Sequence, residues 1–184
     1  MCGRNSVCSK RQGEAARYAG RAHHWLLFQS ASGDAFAQTA LGFSYFDGTG
    51  AEENRSEAVR LFQLAADQKL SIAQTILAEC YELGNGVTES LQDACKLYSL
   101  AAESGNVEAQ LKLGMLMCKC DGLHGSKQEA VEWFELSVEQ SNVEAQFQLS
   151  LCYLNGQGVP VDLFEAVRRL KLVAEKDMLK HNII

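Results

Sequence analysis

Apolar and small residues recur along this chain with the spacing of a helix face. Ala37, Leu41, Gly42 and Tyr45 stand four, one and three positions apart, which sets them on one side of an α-helix. That pattern stops at Gly48 and Gly50, glycines suited to the positive φ with which a helix ends and the chain turns. A second face follows, made of Ala58, Leu61, Phe62, Ala65 and Ala66. Asn54 precedes it as a good N-cap, and Glu57 follows three positions later, where an acid favours the positive helix end. The prediction is a pair of helices, A then B, joined by a glycine turn.

The pair then returns. Ala37, Ala73, Ala109 and Ala145 are 36 residues apart, as are Ala58, Ala94, Ala130 and Ala166. A fixed period of this length marks a stacked repeat array, because one pair of helices cannot bury its apolar face alone. The B-helix caps repeat as Asn54, Ser90, Ser126 and Asp162, with Glu57, Asp93, Glu129 and Glu165 three positions on; Ser126 with Glu129 has the chemistry of a full capping box. Turn glycines recur at Gly84 and Gly86 and at Gly156 and Gly158. The units predicted are 34–69, 70–105, 106–141 and 142–177.

The stretch AQTALGFSYFDGTG followed by EAVRLFQLAA resembles the Sel-1-like repeat, a relative of the tetratricopeptide repeat. The resemblance implies an all-α fold: a right-handed α-solenoid of paired antiparallel helices, with helix A lining the concave side. The third copy departs from the pattern, with Met117 in place of the tyrosine and Cys120 in place of the first turn glycine.

The ends follow by extending the period. Stepping back places Ala22 under Ala58, Trp25 under Leu61 and Leu26 under Phe62, so 14–33 is read as a capping B-type helix and 1–13 as a disordered or targeting segment. No helix A precedes it, which leaves open a longer array. At the other end Arg168, Arg169 and Lys171 are read as the polar outer face that a terminal repeat needs, with 178–184 as a frayed tail.

Charge narrows the partner. Residues 1–33 carry a formal +4, leaving −10 for the rest of a chain whose total is −6. An acidic body argues against nucleic acid, which needs clustered Lys and Arg. No apolar run reaches the roughly 18 to 20 residues of a membrane span. Seven cysteines, odd in number and irregular in spacing, make a poor disulfide framework. Cys95 stands in the slot of Val59, Val131 and Val167, and Cys80 and Cys152 share that of Ser44 and Leu116, so these read as packing residues. The expectation is a reducing compartment, the cytoplasm, with a mitochondrial transit segment in the basic N-terminus as the alternative.

Candidate chemistry is sparse. Each Gly-x-Gly follows a helix, whereas a dinucleotide loop follows a strand and carries a third glycine. His23 and His24 have no carboxylate or nucleophile in helical register and are read as surface residues. Cys118, Cys120 and His124 could hold zinc or respond to redox conditions, but Cys-x-Cys is not a standard zinc spacing and a fourth ligand is missing. No cofactor and no catalysis are expected.

What remains is the surface of helix A. Gln38, Gln74, Gln110 and Gln146 share one slot and read either as a structural ladder or as part of a binding face. The variable slots are Phe43, Glu79, Met115 and Leu151, and Phe46, Glu82, Cys118 and Leu154. They mix apolar anchors with acids, which suits a protein or peptide partner carrying apolar side chains and positive charge. The reading is a non-enzymatic interaction module, with a redox- or metal-responsive organellar factor built on the Cys118–His124 turn as the alternative.

Overall fold

A computed structural model describes residues 4–119 and 126–181, with side chains over 18–119 and 126–175. The described residues form nine helices and no strand. They group into two compact units, Met1–Ser90 and Leu91–Ile184.

Unit one holds α1 (Arg4–Ala31), α2 (Ala35–Asp47), α3 (Arg55–Asp67) and α4 (Ser71–Leu83). Unit two holds α5 (Leu91–Glu103), α6 (Val107–Lys119), α7 (Lys127–Glu139), α8 (Val143–Asn155) and α9 (Leu163–His181). The even-numbered helices are the A helices of the four repeats, and α3, α5, α7 and α9 are the B helices.

The repeated alanines sit where helices approach most closely. Ala58, Ala94, Ala130 and Ala166 are fully buried, as are Ala73, Ala109 and Ala145. Small slots face large ones: the rings of Phe62, Tyr98 and Phe134 fill one recurrent position and are all buried. Gly114 leaves room for such a ring, since a Cβ there would lie 2.6 Å from Cε1 of Phe134.

The caps act as their spacing predicts. Asn54 Oδ1 accepts from the Glu57 amide at 3.1 Å, Ser126 Oγ from the Glu129 amide at 3.2 Å and Asp162 Oδ1 from the Glu165 amide at 2.9 Å. The first residue of three repeats caps helix A in the same manner: Asp34, Asn106 and Asn142 accept from Ala37, Ala109 and Ala145 at 2.8, 2.9 and 3.0 Å. Leu70, in the same slot, makes no side-chain cap bond.

The glycine turns also dock. Gly86 has φ 75°, and a Cβ there would meet the carbonyl carbon of Arg55, at the start of the preceding B helix, at 2.7 Å. Gly50, with φ 81°, meets the carbonyl carbon of Ala19 on α1 at the same 2.7 Å. Ala19 lies one period before Arg55, so α1 stands where a B helix stands.

Four expectations about the ends change. The helix expected from residue 14 begins at Arg4. Trp25, placed in the slot of Leu61, is 60% exposed, since α1 packs chiefly on α2 among the described residues. Of the polar face expected of α9, Arg168 and Lys171 are exposed, but Arg169 turns inward over the Tyr153 ring, 5.2 Å from its centroid, and pairs with Glu165 at 2.8 Å. Phe164 on the same helix is 81% exposed. The tail expected to fray from 178 continues as helix to His181.

Candidate functional site

The glutamine slot resolves first. Gln38, Gln74, Gln110 and Gln146 are all buried, and the amides of the first three bond to groups at neighbouring B helices. Gln74 Nε2 donates to the Ala66 carbonyl at 3.4 Å, and Gln110 Nε2 to the Ala102 carbonyl at 3.3 Å. Gln68 Nε2 donates to Gln38 Oε1 at 2.8 Å, and Gln140 Nε2 to Gln110 Oε1 at 3.0 Å. Buried side-chain amides are normally hydrogen-bonded, and Gln74 Oε1 is the exception here, buried without a partner. These four glutamines, considered for a partner-binding face, are instead joints within the packing.

The variable slots fare differently. In unit one Phe43, Phe46 and Glu79 come together around a cleft of about 220 Å³ whose lining also includes Phe62, Ile76, Cys80, Leu83 and Asn85. Phe62 forms its floor. The Phe43 ring meets it edge-on, with centroids 5.3 Å apart and planes at 65°, and the Phe46 ring lies 6.4 Å away, tilted by 49°. Such an aromatic set is held more firmly than aliphatic packing alone would hold it.

Arg55 contacts two of the lining residues, Phe46 and Asn85. Its guanidinium lies 5.3 Å from the Phe46 centroid, donates to Glu53 at 2.8 Å and reaches Asn85 Oδ1 at 3.4 Å. The helix-end asparagine is thereby tied to the previous repeat. Phe43 is 42% exposed and Leu83 66%, so the cleft keeps apolar surface in water, with the half-buried Glu79 beside it. Burial, and secondarily the Glu79 carboxylate, pushes the Cys80 thiol up to about 11, which leaves it protonated and unreactive at neutral pH. The arrangement can receive an apolar side chain and offers a carboxylate nearby.

The remaining sequence candidates scatter. Glu82 is half-buried on α4 and outside the cleft lining. Met115 and Cys118 pack against the buried cluster of Leu111, Val131, Phe134, Ala145, Leu149 and Cys152 in unit two, while Leu151 is half-buried and Leu154 exposed on α8. Cys120 and His124 of the suggested metal or redox turn lie outside the described residues, and among the described residues no group of three His, Cys, Asp or Glu could hold an ion. No helix of the described residues is long and apolar enough to cross a membrane.

His23 departs from its reading as a surface residue. Its Nδ1 lies 2.8 Å from Ser44 Oγ, and Ser44 in turn donates to the Thr49 carbonyl. With the hydroxyl proton committed there, Nδ1 carries the hydrogen toward Ser44. The ring also stands edge-on to Tyr45 at 5.1 Å, so His23 joins α1 to the α2 turn. The sequence signal was the serine slot itself, where the other copies carry Cys80, Leu116 and Cys152.

Comparison with known proteins agrees with this geometry. The Sel1 repeat family model matches residues 35–70, 71–106, 107–142 and 143–168. The chain is a Sel1 repeat protein. It is similar to the crystal structure of a Sel1 repeat protein from Oxalobacter formigenes, with 30% identity and a TM-score of 0.79 over 92% of this chain and 70% of that one. It is also similar to a protective antigen of uropathogenic Escherichia coli with this repeat fold, at 28% identity and a TM-score of 0.79 over 84% of this chain; the match spans only 33% of that longer chain. A Sel1 repeat protein from Klebsiella pneumoniae shares the fold at 21% identity, with a TM-score of 0.54 over 83% of this chain and 76% of that one. No curated protein matches the chain. The Sel1 repeat protein is thus an all-α solenoid of tetratricopeptide-like type, and such repeats serve generally as scaffolds for protein interaction.

Proposed function

We propose that this Sel1 repeat protein is an interaction module that binds a protein partner through the cleft of unit one. The partner inserts an apolar side chain against Phe43, Phe46 and Phe62 and carries a Lys or Arg that comes to lie beside Glu79. The observation that carries this reading is the cleft itself: variable A-helix positions from two consecutive repeats line one aromatic hollow. Buried aromatic anchors at the centre of a contact commonly supply most of its free energy.

Selection from a displayed peptide library tests it directly. Peptides that pair an apolar anchor with a basic residue should be enriched on the wild-type chain. Phe43→Ala should weaken them at least about tenfold, the equivalent of roughly 1.4 kcal/mol. Enriched peptides whose affinity is unchanged by both Phe43→Ala and Leu83→Ser would sink the assignment of the cleft. Competition with added salt separates the two contributions, because screening weakens the Glu79 contact and leaves the aromatic one.

A further inference from the structure

Two cysteines of unit two come together at the edge of a buried cluster, away from the cleft of unit one. Cys118 lies on the last turn of α6 and Cys152 on α8, A helices of consecutive repeats that touch directly. Cys152 is buried within the cluster around Leu111, Phe134 and Leu149, and Cys118 packs against that cluster while remaining half-exposed. Cys118 thus packs on the same buried cluster to which Cys152 belongs, and the charge of Lys127, the first residue of α7, acts on Cys118. The 36-residue period brings cysteines into these facing slots here and not in unit one, where Cys80 shares the cleft with Phe46.

We propose that Cys118 and Cys152 form an oxidation site for hydroperoxides, with Cys118 as the thiol attacked first and Cys152 as the thiol that resolves it into a disulfide between α6 and α8. The Cys118 thiolate attacks the terminal peroxide oxygen, the O–O bond breaks, and the departing hydroxide takes a proton to leave as water (or as an alcohol from an alkyl hydroperoxide). Cys118 is left as a sulfenic acid. The Cys152 sulfur then attacks the Cys118 sulfur; the S–O bond breaks, and the hydroxide leaves with the Cys152 proton as water. Two thiols and one hydrogen peroxide become one disulfide and two waters, two electrons passing from sulfur to the peroxide.

The electrostatics suit this division. The hydrogen bond from Cys152 and the Lys127 charge outweigh burial and lower the Cys118 thiol to about 7, so a large share is thiolate at neutral pH. The same hydrogen bond, burial and the Cys118 charge raise the Cys152 thiol, which keeps its proton until the sulfenic acid forms. Cys118 is the accessible member and Cys152 the sheltered one, as attacking and resolving roles require.

Hydrogen peroxide added to the whole reduced chain, followed by intact mass and a tryptic map, tests the proposal. Cleavage after Lys119 separates Cys118 from Cys120. The expected result is a loss of two hydrogens and a linked Cys118–Cys152 peptide, with Cys80 still free. In Cys152→Ser the sulfenic acid should persist on Cys118 and be trapped by dimedone, and in Cys118→Ser the linked peptide should vanish. Peroxide treatment that leaves both thiols free, or links Cys118 to Cys120 instead, overturns the proposal. Should either variant fail to fold, as read by circular dichroism, the wild-type peptide map still decides it.

Discussion

Left-handed backbone at the end of the B helices exposes one weakness of individual residues. Gly33 and Gly105 close α1 and α5 with φ 90° and 83°, whereas the same slot holds Lys69 and Ser141 with φ 64° and 69°. A side chain in that region costs about 1–2 kcal/mol, partly offset by the extra freedom that glycine has when unfolded. Lys69→Gly and Ser141→Gly should therefore each stabilise the protein by up to about 1 kcal/mol, read as a higher midpoint in urea. Cys118 gives a second residue-scale expectation. The groups facing it are the Cys152 thiol and the Lys127 ammonium, with Tyr153 packed on the same cluster. Its alkylation by iodoacetamide should rise with pH around a midpoint near 7, where an ordinary thiol would wait until about 9. A midpoint equal to that of an unfolded control would refute the lowered value. Neither residue betrays this role by its type: lysine carries no mark of positive φ, and Cys118 gains its character from Cys152, 34 positions away in the chain.

Helices here are set by their ends and by their smallest residues. Asn54→Ala removes the acceptor of the Glu57 amide and should cost about 1 kcal/mol, measured by chemical denaturation. Glu57 also grips Arg60 through two bonds of 2.7 and 2.9 Å, and that hydrogen bonding, with the Arg60 charge, lowers its carboxyl below the usual range. Because the folded value is the lower one, this pair's small support is present above the ordinary carboxylate range and fades as the pH falls through the lowered value. Ala94→Leu, at a fully buried slot, should overpack α5 by about 1–3 kcal/mol and lower the melting temperature. A melting temperature unchanged by that substitution would show that the alanine slot is not tight. Caps and alanine slots were legible in advance because both are local, periodic choices. The glutamine ladder left two readings open, since a polar residue on a helix face looks the same whether its partner is water or the carbonyl of a neighbouring helix.

At the scale of the whole molecule, an array distributes its stability through nearest neighbours. In unit one α3 packs on α2 and α4, and in unit two α6 packs on α5, α7 and α8, whereas among the described residues α1 packs chiefly on α2 and α9 on α8. Amide exchange should accordingly be slowest in α3 and α6 and fastest in α1 and α9. Uniform protection along all nine helices of the described residues would contradict this gradient. The exposed Trp25 and Phe164 belong to the same picture, as helices with one neighbour keep apolar residues in water.

The sequence by itself determined the repeat, its helices, their caps and the slots that carry alanine. All of these follow from residue choices within a few positions of one another, copied at a fixed step. Tertiary structure alone decided which side chains of those helices meet: that Phe43, Phe46 and Glu79 share one cleft while Glu82 lies outside it, that the glutamines face inward, that Arg169 turns onto Tyr153, and that Cys118 finds Cys152. The physical reason is distance along the chain. A period says that two slots recur, but rotamer, burial and the neighbouring helix fix what each slot touches.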